Sequence, residues 1–427
     1  MTTMDRELCL LLTDCLKRTE SEFNAARLAS LSPERWQALL NLATTHQVMS
    51  LLWHRLRQKR LHKAVPGDVA ETLRQSYHHN AWHNLQYYGE LRLLLSAFKA
   101  ENLPAIPLKG MYLAEAVYGN IALREMNDID MLVRTGDLTR IVEIVTGMGY
   151  RPLRPICVSR TIKTNKDLPR LVKNGNVKLE IHWNLTQPNE SYSINPAGLW
   201  ERAGPVKIAG GETLALAPED LLLYLCVHTS YHHQFAFGLR PFFDIAEAIN
   251  RFGAIFAWKT AAERAIGQSW QRGVYLALRL AMELADADVP ADILAMLQPA
   301  DMTESVLEAA RVQVFTNKRF AASITVSFAE LLESRHLMDK IRIFWRRVFL
   351  PKALIAEQYS VPMDSVRIYS CYPRRFFYLL RRYGHTLNKI RESDVSLKTL
   401  ATRTNCIANW LASPATVSEH CGKTPTN

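Results

Sequence analysis

Apolar residues recur at three- and four-residue intervals from Asp5 to about Ala100, as in "WQALLNLATTHQVMSLLWHRL" and "LQYYGELRLLLSAFKAENL". No strand-like alternation interrupts them, so residues 1–100 are expected to form an α-helical amino-terminal region. "SPER" marks one helix start: Ser32 is placed to cap, Pro33 fits the first turn and Glu34 meets the positive helix end.

The texture then changes. "LPAIPLKG" predicts a short strand, "MYLAEAVYG" a helix ending at Gly119, "DIDMLV" a second strand and "LTRIVEIVTGMGY" an amphipathic helix stopped by glycines. A polar, Lys-rich connection spans 159–176. "VKLEIHW" after it alternates strictly, with Lys178, Glu180 and His182 on one face and Val177, Leu179, Ile181 and Trp183 on the other. A short strand, "VKIAG", and a turn at Gly210 and Gly211 precede "LAPEDLLLYLCVHTSYHH", a long helix opened by Pro218, Glu219 and Asp220. The order predicts an α+β fold: a small mixed-sheet core over 101–215, flanked by the first helical region and a second over 216–411. The tail, 412–427, is short on hydrophobes and expected to be disordered.

Composition narrows the class. With 427 residues, 48% hydrophobic and 22% charged, the chain can bury two or three cores, and extensive disorder is excluded. No apolar run reaches the ~18 residues of a membrane span, and "MTTMDRELCL" lacks a basic leader, so a cytoplasmic protein without a transmembrane segment is expected. The seven cysteines contain no C-x-x-C pair, which suits reduced thiols. The net charge of +11 is concentrated: Arg335 to Arg391 holds thirteen Lys or Arg against Asp339, Glu357 and Asp364. A basic carboxy-terminal surface is expected, able to contact a polyanion, and aromatics interleave its arginines in "YPRRFFYLLRRYG". An amphipathic helix with Phe376, Phe377, Leu379 and Leu380 inward and the arginines solvated is the simpler explanation of that stretch.

The chemistry gathers around "NDIDMLV". On a strand, Asp128 and Asp130 share a face with Cα atoms ~6.6 Å apart, where like charges repel by ~2.5 kcal/mol at a dielectric of 20. Two water-facing acids on an edge strand are one explanation. A divalent-cation site is the other, and Glu180 favours it, because three carboxylates from two neighbouring strands can hold a pair of Mg²⁺ ions. Lys109 and Gly110, where a strand becomes a helix, suit phosphate: a positive charge beside a residue that allows close approach.

Taken in order, "PLKGMYLAEAVYG", "LREMNDIDMLV", "GMGY", "LEIHWNL" and "LAPEDLLLYLCVH" resemble the DNA polymerase β nucleotidyltransferase superfamily, and within it a bacterial family of uncharacterised nucleotidyltransferases. "HQVMSLLWHRL" and "FLPKALIAEQY" extend the likeness to residues 30–385. The resemblance implies transfer of a nucleoside monophosphate from a nucleotide triphosphate, ATP being expected, with two Mg²⁺ ions and release of pyrophosphate. It implies Asp128, Asp130 and Glu180 as the catalytic, metal-binding triad, Lys109 and Gly110 at the phosphate-binding turn, and Arg124 as a nucleotide-binding residue. The superfamily's turn usually reads Gly-Ser; here it reads Lys-Gly, and the serine hydroxyl is missing.

Arg124 has an alternative role in a local ion pair, and His182 is either a hydrogen-bonded neighbour of the acids or a base. His228 and His232, four apart, match the spacing of a zinc-binding helix but lack a third ligand; a polar cleft lining, or a network with Arg240 and Asp244, is preferred. The acceptor is left open between small molecule, peptide or protein, and RNA end. Two alternatives stand beside the enzyme reading: a catalytically inactive nucleotide-binding or regulatory protein of the same fold, and an RNA-end nucleotidyltransferase.

Overall fold

Strands with every residue buried need cover on both faces, and the chain supplies it with helices from both ends. The computed structural model describes residues 3–19, 23–174, 177–188, 192, 194–316, 336–359, 361–362, 364–391 and 397–413. Four helices (Thr3–Leu16, Phe23–Ala29, Pro33–Thr45 and Met49–Gln58) precede a long one, Gly67–Ala100. Ser32 caps the third, its Oγ accepting from the Arg35 amide at 3.4 Å, and Trp36, Leu39, Leu40 and Ala43 form its buried stripe.

The sheet has five strands: β1 (Ala105–Pro107), β2 (Ile129–Val133), β3 (Arg151–Pro152), β4 (Leu171–Lys173) and β5 (Val177–His182), in the order β1-β2-β5-β4-β3. It is mixed. β2 and β5 run parallel, with Asp130 paired to Glu180 and Leu132 to His182, while the other pairings are antiparallel. All of β2 is buried. A separate hairpin, β6 (Gly204–Ile208) and β7 (Gly211–Ala215), turns at Ala209 and Gly210, both at positive φ as a tight hairpin requires.

The α+β class expected from the pattern is the fold observed. Three local readings need adjustment. β2 begins at Ile129, so Asp128 lies in the bend before the strand. The Lys-rich connection holds a helix, Val158–Thr164, and the strand β4. The helix after β1 starts at Lys109 and widens into a π-turn over Leu113–Val117.

The helix Pro218–Val227 is buried from Asp220 to Val227 and runs through the core, continuing as a second π-turn over His228–His232. The helices Arg240–Phe252 and Gln271–Ala285 pack against it. One apolar cluster joins the amino-terminal helices, the sheet and these helices; a smaller one, around Ile355, Ala356, Ile368 and Cys371, holds the helices Lys352–Gln358 and Ile368–Arg391 together. Among the described residues, no helix is long and apolar enough to cross a membrane and six cysteines are unpaired. The expected disordered tail lies, from residue 414 on, outside the described residues.

Gly238 ties the first helical region to the second. Its φ is +83°, and a Cβ there would come within 2.6 Å of His46 Nδ1 and 3.3 Å of His46 Cα. That nitrogen accepts from the Leu239 amide at 3.2 Å. We expect Gly238→Ala to destabilise the chain by about 1–3 kcal/mol through backbone strain and loss of this bond. A urea denaturation midpoint equal to wild type would contradict it.

Candidate active site

Parallel pairing of β2 with β5 sets Asp130 directly beside Glu180, and β1 brings Lys109 to the same end of the sheet. The result is a cleft of about 520 Å³ whose walls include Lys109, Gly110, Asp128, Asp130, Lys166 and Glu180, with His228, His232 and Arg240 opposite. Of the residues read from sequence, all but His182 line it.

Asp130 is 3% exposed and receives two hydrogen bonds on one oxygen: Lys109 Nζ donates to Oδ1 at 3.0 Å and His182 Nε2 lies 2.8 Å from it. Burial works against the carboxylate, but Lys109 and His182 outweigh it and hold its pKa far below the ordinary range. Lys109 feels the converse: burial favours the neutral amine, Asp130 favours the ammonium more, and its pKa rises. Lys109 also adopts a positive φ of 42° at the head of its short helix.

His182 is 1% exposed and lies between two groups, with Lys166 Nζ 3.3 Å from Nδ1 and Asp130 on Nε2. A lysine ammonium only donates, so Nδ1 accepts and the ring proton sits on Nε2, aimed at Asp130. This tautomer orients the carboxylate, as a ligand's supporting histidine does. Donor atoms of Asp130, Glu180 and His182 lie within 4.8 Å of one another.

Asp128 stands outside that group but lines the same cleft. It has neither a hydrogen bond nor an ion pair among the described residues. Burial, then the charges of Asp130 and Glu180, raise its pKa. Glu180 is paired with Arg170, whose Nε donates at 2.7 Å and whose Nη2 also binds the same oxygen.

Arg124 is 6% exposed and committed to Asp244, with Nε 3.0 Å from Oδ1 and Nη2 2.9 Å from Oδ2. Tyr118 Oη donates to the same Oδ1 at 3.0 Å. This is the local ion pair weighed against a nucleotide contact. It also explains Gly110, where a Cβ would sit 2.7 Å from Arg124 Nη1 and 3.0 Å from Met126 Cβ. Arg240 donates from Nη1 to the Glu125 carbonyl at 2.9 Å and stacks over Phe237 at 5.0 Å; burial, then Arg124, bring its pKa down to about 10.

The π-turn gathers His228, His232 and His233, with Nε2 of His228 and His233 3.2 Å apart. Among the described residues, converging groups of three or more metal-ligating atoms are limited to Asp130, Glu180 and His182, so these histidines do not make a zinc site. Arg170 and Lys166 were not singled out from sequence; both sit in the Lys-rich connection, where nothing in the spacing distinguishes them from solvated charges.

The described geometry is that of a sheet-borne acidic cleft facing a glycine-bearing turn. A model of the uncharacterised nucleotidyltransferase family matches residues 32–286, more than half of the chain, and the chain belongs to that family. Membership supports nucleotidyl transfer as its activity. No curated protein and no solved structure matches it.

Two expectations follow. Asp244→Ala leaves the buried Arg124 guanidinium uncompensated and should cost about 3–5 kcal/mol of stability; an unchanged denaturation midpoint would show the pair to be dispensable. Burial pushes His232 down to about 3 and His228 well below its ordinary value. An unfolded chain protonates both near pH 6.5, so below that pH it binds more protons than the folded chain. Stability should therefore fall as pH drops from 6.5 towards 3, His232 contributing about 1.4 kcal/mol per pH unit and His228 acting in the same direction. Denaturation at several pH values should show a shallower decline in His232→Gln; parallel curves would refute the assignment.

Proposed function

We propose that this protein transfers a nucleoside monophosphate from a nucleotide triphosphate, ATP being the first candidate, to an acceptor hydroxyl or phosphate, with release of pyrophosphate. The observation that carries the reading is the registered pairing of Asp130 with Glu180, next to Asp128, in a cleft that Lys109 and Gly110 also line.

The donor set fits a hard divalent cation. Three carboxylates meet at one cleft, and burial, then the charges of Asp130 and Glu180, raise the pKa of Asp128. Asp128, Asp130 and Glu180 would hold two Mg²⁺ ions, which when bound neutralise triphosphate charge and acidify the acceptor hydroxyl. The protein's own groups do the rest. Lys109, Lys166 and Arg240 line the space a triphosphate occupies and supply positive charge. His182 keeps Asp130 aimed into the cleft, and Gly110 leaves room beside Arg124. The acceptor oxygen bonds to the α-phosphorus, the bridging bond to the β-phosphate breaks as pyrophosphate leaves, and the acceptor's proton passes to Asp128, whose pKa is raised.

Lys109 on Asp130 and Arg170 on Glu180 favour a second reading, a nucleotide-binding protein without turnover, because both acids already have cationic partners. One experiment separates the two. With Mg²⁺, α-labelled ATP and a host extract as acceptor source, wild type should pass label to an acceptor and release pyrophosphate. Asp130→Asn should do neither, and His182→Asn should lose about 10–100-fold in rate. Nucleotide binding without pyrophosphate release in wild type would select the second reading.

A further inference from the structure

Arg170 and Glu180 border two hollows at once. The pair lines the catalytic cleft and also a second one of about 360 Å³, together with Leu153, Arg154, Pro155 and Leu168. From Pro155 and Thr161 a third hollow of about 170 Å³ continues to Val361 and Pro362. There the helix Lys352–Gln358 packs on the helix Val158–Thr164, and Arg160 Nη1 lies 3.4 Å from the Val361 carbonyl. Three hollows that share lining residues thus mark out a path from a predicted catalytic carboxylate, past Arg170, Arg154 and Arg160, to the foot of the carboxy-terminal helices.

Those helices carry the chain's greatest concentration of positive charge, thirteen Lys or Arg between 335 and 391. Among the described residues, Arg342, Arg346, Lys352, Arg367, Arg374 and Arg381 are exposed. Of the sixteen exposed large hydrophobic residues among the described residues, nine also lie there, between Met338 and Leu380, and five are aromatic: Trp345, Phe349, Tyr369, Phe377 and Tyr378. Phe377 is 67% exposed on the helix whose buried stripe is Ile368, Cys371, Arg375 and Leu379, so the solvated face of that helix is the aromatic one. The pattern favours Phe376, Phe377, Leu379 and Leu380 inward; Leu379 is buried, but Phe377 and Leu380 are exposed, because the buried stripe runs through Cys371, Arg375 and Leu379.

We propose that the acceptor is single-stranded RNA, lying in this path with its backbone on the arginines, bases stacked on the exposed aromatics and its terminal hydroxyl at Glu180. The proposal rests on the transferase reading for the role of Glu180. Arginine and aromatic side chains together are the chemistry that holds an unpaired strand without reading its sequence. An anionic bilayer offers charge and apolar depth to the same helices. It is flat, however, and cannot follow a groove that ends at a carboxylate beside the sheet; a strand can.

The test titrates a fluorescein-labelled single-stranded RNA of about 12 nucleotides into the full-length protein, without nucleotide, and reads anisotropy. Binding is expected, weakening about 100-fold between 50 and 200 mM salt if five phosphates are neutralised. Arg154→Glu and Phe377→Ala should each weaken it about tenfold, while MgATP binding, followed by calorimetry, stays at the wild-type value. No binding, binding indifferent to both substitutions, or binding to phosphatidylglycerol vesicles in place of RNA overturns the proposal. Pyrophosphate release is measured separately on addition of the RNA. If RNA binds as expected and none is released, the transferase reading fails and the RNA path stands.

Discussion

The parallel pairing of β2 with β5 is the constraint on which the site depends. Side chains alternate along a strand, so a slip of one residue would turn Glu180 away from Asp130 and bury Ile181 against the acids. The apolar neighbours hold the register: Ile129 and Leu179 are paired and fully buried, as are Met131 and Ile181. Each carboxylate is thus kept in place by residues that have no chemistry. The cost of putting two acids side by side is met by neighbours the topology supplies, Lys109 from the end of β1, His182 two residues along β5 and Arg170 just before β4.

This pattern of compensation separates two kinds of arginine in the cleft. Arg124 has a bidentate partner in Asp244, both nearly inaccessible, and giving up that partner for a phosphate would leave a bare carboxylate buried next to Tyr118. It acts as a strut between the loop before β2 and the helix Arg240–Phe252. Arg240, one helical turn away, reaches a neutral carbonyl and an aromatic face, contacts that leave its charge uncompensated. A triphosphate would gain more from Arg240 than from Arg124, although Arg124 is the one a motif comparison selects.

Legibility followed element length and sequence distance. The strict alternation of "VKLEIHW" revealed β5 and put Glu180 and His182 on one face, and the spacing of Trp36, Leu39, Leu40 and Ala43 revealed a helix. β3 and β4 have only two and three residues, too few to show a period, and their hydrogen bonds come from sheet neighbours. Asp128 looked like part of the strand because nothing in "NDIDMLV" marks where pairing begins. The partner of Arg124 is 120 residues away, and no local pattern could single out Asp244 from the other acids. The pattern put Lys109 where a strand becomes a helix, but its attachment to Asp130 required the antiparallel register of β1 with β2.

The arrangement also separates the proposed chemistry from the proposed acceptor surface. The acids rest on a sheet within the main apolar core, whereas the basic, aromatic helices are organised around Ile355, Ala356, Ile368 and Cys371. A cluster that small can change its surface residues without disturbing β2 and β5. The contact between the two is itself modest, one helix of seven residues on another and a single arginine reaching a carbonyl. On the proposed reading the register of the sheet would be kept for any acceptor, while the charge and aromatic content of the outer helices would be free to follow the acceptor.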